Sequence, residues 1–221
     1  MKIERLEIGA GNIRDQLKFY RDLLGFEIQN YKESSFEIQT GYSVLKFVEN
    51  QDFTPYHIAF HIPDKQEEKA LNWLKDNVQI LKNNNQEIIN FSNWNAKSIY
   101  FYDADKNIVE FISRRNSNKP SSAIFSGESI LGISEIGLAT SNIKEKFEIL
   151  ETAGLEQYDG NFEEFCAIGD DEGLIITINK NLKSWFPTGD SAYSSNFSIE
   201  FNHRGKAYNF LFEEDQLKQI N

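Results

Sequence analysis

The stretch YHIAFHIPD (residues 56–64) sets Ile58, Phe60 and Ile62 against His57, Ala59 and His61 at alternate positions. Side chains on a strand point to opposite faces in turn, so one face packs on a helix and the other presents two histidines. A helix follows from Asp64, with Ala70, Leu71, Leu74 and Val78 at helical spacing. Strand-like runs then cover residues 88–91, 98–102 and 107–113. Strand, helix and three strands form one βαβββ module.

The same order appears upstream. An alternating strand over residues 3–8 leads through a turn and a helix cap into Ile13, Leu17, Tyr20 and Leu24, an amphipathic helix that Gly25 stops. Strands at 26–31, 36–39 and 42–48 complete that unit. A third begins with GISEIGLAT (132–140), continues in a helix carrying Ile143, Phe147 and Leu150, and has strands at Gln157, 162–168 and 174–178. A fourth is reduced to two strands, FSIEFNHRG (197–205) and AYNFLFEED (207–215), with no helix. The segment RRNSNKPSSAIFSGE (114–128) has linker composition. The expected organisation is an α+β protein of two domains with curved mixed sheets: residues 1–115 as a two-module domain, 116–129 as a linker, and 130–221 as a third module plus an incomplete fourth.

A chain of 221 residues with 40% hydrophobic and 14% aromatic content has enough apolar material for a core. Its net charge of −11, with no concentrated basic run, argues against nucleic acid as a partner. The single Cys166 has no second cysteine with which to form a disulfide or thiolate site, and the expected compartment is the reducing cytoplasm. The opening MKIERLEIGAGN lacks the apolar run of a signal peptide, and no stretch is apolar enough to span a membrane.

Three motifs carry a resemblance to a known family. LKFYRDLLGFEI (17–28), YHIAFHIPD and FYDADKNIVEFI (101–112) are similar, in order and spacing, to the helix end, second-module strand and acidic hairpin of the vicinal-oxygen-chelate superfamily of glyoxalases, bleomycin-resistance proteins and extradiol dioxygenases. The resemblance covers residues 1–115 best. It implies that modules pair side by side into a cup that binds a small molecule, and that a second chain can complete such cups as a homodimer. It also implies, for the metal-using branch, a divalent ion (Fe, Mn, Zn or Ni) held by histidines and glutamates.

Alternation places Arg5, Glu7, Lys46, His57, His61 and Glu110 on the open face of the sheet; Trp94, Tyr100 and Tyr102 are further candidates for the pocket lining, their faces left open by the ambiguous register of the strand before Asp103. On the resemblance, His57 and Glu110 occupy ligand and catalytic positions, while Arg5 and Lys46 stand where relatives carry ligands. Glu7 is the expected third metal ligand, and Arg5, Lys46, His61 and Tyr100 the expected substrate-binding residues. The same residues equally describe a salt-bridge network or an anion site that needs no metal. The readings are a metal-dependent lyase or dioxygenase and, alternatively, a metal-free protein that sequesters a drug or metabolite. Glu135 faces inward, but Ile176 and Thr177 on the closing strand leave it without a partner carboxylate, so the second domain is expected to be non-catalytic. SWFPTGD (184–190) covers an apolar edge or the mouth of the cup. Cys166 reads as a small buried residue, and His203 as an exposed turn residue.

Overall fold

The computed structural model describes residues 1–117 and 124–220, so residues 118–123 of the expected linker lie outside the described residues. The first module consists of β1 (Lys2–Ala10), α1 (Ile13–Lys18, extended by a wider turn over Phe19–Leu23), β2 (Glu27–Lys32), β3 (Ser35–Thr40) and β4 (Ser43–Glu49). Asn12 caps α1 by accepting from the Asp15 amide, and Gly25, at φ +63°, lets the chain leave the helix.

The second module holds β5 (His57–His61), α2 (Glu67–Lys75), β6 (Ile80–Leu81), β7 (Ile89–Phe91), β8 (Ala96–Tyr102) and β9 (Ile108–Arg114). The third holds β10 (Gly132–Thr140), α3 (Ile143–Glu151), β11 (Gln157–Gly160), β12 (Phe165–Asp170) and β13 (Gly173–Asn179). The fourth has no helix and three strands rather than the expected two: β14 (Phe197–His203), β15 (Lys206–Glu213) and β16 (Gln216–Ile220). The polar Glu214 and Asp215 hid the last strand. Both take positive φ and form the tight turn that returns the chain.

All sixteen strands are linked in one sheet that divides into two halves. In one, β1 pairs in parallel with β4 and antiparallel with β14. In the other, β5 pairs in parallel with β9 and antiparallel with β10, which pairs in parallel with β13. The halves meet where Ile3 lies opposite Ile133. Module one therefore joins module four, and module two joins module three. The expected side-by-side pairing of modules one and two is not what forms.

Two bulges sit at matching places, between Ile3 and Arg5 in β1 and between Ile133 and Glu135 in β10. Each adds one residue, so Ile3 shares a face with Leu6 and Ile8, and Ile133 with Ile136 and Leu138, all in the core. The same shift turns Arg5 and Glu135 onto the opposite face. The core draws on all four modules, including Phe60, Phe111, Ile136, Phe201 and Phe212. The fourth module has no helix of its own, and α3 of the third packs against its last strand, β16.

Candidate metal centre and ligand cup

One row of cross-strand neighbours builds the site. Tyr100 on β8 lies opposite Glu110 on β9, Glu110 beside Ala59 on β5, and Ala59 opposite Glu135 on β10. The small, fully buried Ala59 leaves space between the two carboxylates, and His57, two residues along the same strand, points to the same face. His57, Glu110 and Glu135 are all buried, each offering a ligand atom within 4.8 Å of the others. His57 Nε2 donates to Glu110 Oε2 at 2.9 Å, while its Nδ1 has no partner. Arg114, also buried, forms an ion pair with Glu135, and its Nε donates to Ser134 Oγ at 3.4 Å.

His57, Glu110 and Glu135 line a cavity of about 460 Å³. Its walls include Phe91, Trp94, Tyr100, Ile176, Trp185 and Phe186. The His57 ring is 5.4 Å from Trp185 and 6.4 Å from Tyr100. The Arg114 guanidinium lies 5.4 Å from the Trp94 ring centroid, so an aromatic face backs the charge that neutralises Glu135.

Crowding two carboxylates in a buried site changes their protonation. Burial and the charge of Glu110 push Glu135 up to about 7, against the opposing pull of Arg114 and His57. Burial lowers the pKa of His57, but the hydrogen bond and charge of Glu110, aided by Glu135, outweigh it and leave the imidazole above its ordinary value. Burial, with the charges of Glu110 and Glu135, raises Tyr100 well above the usual phenol range, so it keeps its proton. One imidazole and two carboxylates that repel each other without a cation are a donor set suited to a divalent ion. The residues present fit such a group.

The other half-sheet repeats the row with different chemistry. There the order is Glu37, Lys46, Glu7 and Ser198, with Lys46 in the position of Glu110 and Arg5 in that of His57. Lys46 Nζ pairs with Glu7 at 2.7 Å, and Arg5 with Glu37 at 2.5 Å. Arg5, Glu7 and Lys46 thus lie apart from His57 and Glu110, and Glu135, rather than the expected Glu7, is the second carboxylate beside His57. β10 of the expected second domain supplies Glu135 to this candidate site. His61, on the same face of β5 as His57, donates through Nε2 to the Glu172 carbonyl at 3.1 Å and does not line the cavity. His203 is buried, with Nε2 donating to the Gly154 carbonyl at 3.1 Å, and is not an exposed turn residue. Cys166 is buried as expected.

No family model matches the chain. Over 116 residues, 49% of this chain and 80% of the relative, it is 34% identical to the metallothiol transferase FosB of Staphylococcus haemolyticus strain JCSC1435. It is 33% identical over a stretch of the same length to FosB of Staphylococcus epidermidis. The chain belongs to the vicinal-oxygen-chelate superfamily. Among solved structures, a candidate dioxygenase from Bacillus subtilis strain 168 shares the fold at a TM-score of 0.58 and 16% identity, covering 80% of this chain. The chain spans 63% of that protein's length. In this superfamily member, no helix among the described residues is long and apolar enough to cross a membrane.

Proposed function

We propose that the protein is a divalent-metal-dependent enzyme acting on a small oxygen-bearing molecule in the cup between modules two and three. The observation that carries this reading is the convergence of His57, Glu110 and Glu135 in the lining of an aromatic-walled cavity. A divalent ion held there supplies Lewis acidity toward adjacent oxygens of a bound molecule. The likeness to metallothiol transferases adds thiol transfer to the lyase and dioxygenase chemistries that the superfamily suggests. Tyr100, protonated at neutral pH, is a donor for a substrate oxygen, and Trp94, Trp185 and Phe186 keep water from the reacting face. Both sides of this cup come from one chain, so a second copy is not needed to complete it.

A metal-free binding protein is the second reading. It is favoured by the internal pairing of His57 with Glu110 and of Arg114 with Glu135, which satisfies part of the site without an ion. Elemental analysis by plasma mass spectrometry, after loading with Fe, Mn, Zn or Ni salts and desalting, separates the two. Near-stoichiometric metal that is lost in both Glu110→Gln and Glu135→Gln supports the enzyme. Metal that is absent from the wild-type protein, or unchanged in the variants, overturns it.

A further inference from the structure

The segment joining β13 to β14, residues 180–196, has no counterpart in the module pattern. It crosses the cup and is held at several points. Trp185 N donates to the Asp190 carbonyl at 2.8 Å, Tyr102 donates to Asp190 Oδ2 at 2.6 Å, and Ser194 Oγ donates to the Ala139 carbonyl at 2.8 Å. Ser195 Oγ reaches the Pro55 carbonyl at 3.0 Å. So tied, the segment places Trp185 and Phe186 in the cavity wall.

Gly137 on β10 makes room for Trp185. A Cβ at that position would stand 2.6 Å from Trp185 Cη2 and 3.1 Å from the His57 Cβ. The indole therefore sits against the strand that carries Glu135, beside the His57 ring. Trp185 is 6% exposed, yet its Nε1 has no acceptor among the described residues, whereas Trp94 Nε1 donates to Asp159 Oδ2 at 2.5 Å. A buried N–H without a partner is costly, roughly 1–3 kcal/mol, and an acceptor supplied by a bound molecule would remove that cost.

We propose that Trp185 is a specificity-determining residue of the cup, its indole N–H donating to an oxygen of the bound molecule while Phe186 packs on that molecule's apolar part. Phe186 stands edge-on to Tyr100 at 5.6 Å and to Phe91 at 6.0 Å and is 40% exposed, so it has a free face at the mouth. The ligand class is a small molecule with adjacent oxygens at one end and an apolar body at the other. This inference rests on the proposed metal-dependent function for the placement of those oxygens.

The test uses the full chain loaded with zinc, with benzohydroxamate as an oxygen chelator carrying a phenyl body and acetohydroxamate as one without. The three tryptophans give three indole N–H cross-peaks, and that of Trp185 is the one absent in Trp185→Phe. Benzohydroxamate is expected to shift this peak in the wild-type protein. Trp185→Phe is expected to weaken its binding on the order of tenfold with zinc content unchanged. Gly137→Ala, which keeps the N–H but displaces the ring, is expected to weaken binding similarly, and Phe186→Ala to abolish the preference for benzohydroxamate over acetohydroxamate. A Trp185 peak that stays in place at saturating benzohydroxamate, with or without zinc, overturns the inference. Failure of the wild-type protein to retain zinc instead overturns the metal-dependent reading, and the peak's response to benzohydroxamate alone still decides the role of Trp185.

Discussion

Glu110 and Glu135 flank the same residue, Ala59, from opposite edges of β5, so two carboxylates from different modules share one buried site. That arrangement ties stability to pH. In the folded protein Glu135 keeps its proton up to about 7, against 4.5 when free. Folding therefore takes up a proton over that interval, and the stability that Glu135 contributes is full below 4.5 and is lost as pH rises through 7. The interval corresponds to about 3 kcal/mol. Asp103, raised from 3.8 to about 6 mainly by burial, acts in the same direction. So does His57, whose raised value gives stability that is full below 6.5 and declines above it. The melting temperature of metal-free protein is expected to fall between pH 5.5 and pH 8, and bound zinc, which replaces the protons, to flatten the fall. A scanning calorimetry series that is flat or rising without metal contradicts this picture.

Arg114 pairs directly with Glu135, and both are buried, so removing it leaves a carboxylate uncompensated. Arg114→Met is expected to destabilise the protein by about 3–5 kcal/mol at pH 8, and less at pH 5.5, where Glu135 carries a proton. The double variant Arg114→Met with Glu135→Gln is expected to regain most of the loss. Urea midpoints at the two pH values measure both effects.

The repeat itself was legible because the first three modules each follow an alternating strand with a helix of regular apolar spacing and then further strands. The pairing of modules was not. Alternation assigns His57 and Glu110 to one face but does not say which strand lies on the other edge of β5, a long-range choice made by packing among four modules. A local signal for Glu135 did exist: it precedes the helix cap Asn142 by seven residues, as Arg5 precedes Asn12, so the two occupy the same module position. What hid the site was treating the two cups as one, which grouped Arg5 and Lys46 with His57.

Asp103 shows how the family-like hairpin serves the fold. Its Oδ2 accepts from Gln16 Nε2 at 2.8 Å, from the Tyr20 hydroxyl at 3.0 Å and from Asn107 Nδ2 at 2.7 Å, while Oδ1 accepts from the Asp105 and Asn107 amides. The carboxylate thereby joins α1 to the turn between β8 and β9. Asp103→Asn must face at least one of these donors with an amide N–H. A loss of about 2–4 kcal/mol is expected, read as a lower urea midpoint with an unchanged slope. Because this turn leads into β9, metal loading of the folded fraction is expected to persist.

The two half-sheets permit a control within one chain. Lys46 and Arg5 occupy the positions of Glu110 and His57, but each is already paired, with Glu7 and Glu37 respectively, in a half-exposed setting. A fixed cation at each equivalent position repels a metal, and the neighbouring carboxylates are neutralised by it. Lys46→Met is therefore expected to leave zinc content unchanged and to cost no more than about 1 kcal/mol, since the pair it breaks is partly solvated. Glu135→Gln, in the other half, is expected to lower zinc content several-fold. Loss of zinc in Lys46→Met with retention in Glu135→Gln would move the ion to the cup of modules one and four and reverse the assignment of the two halves.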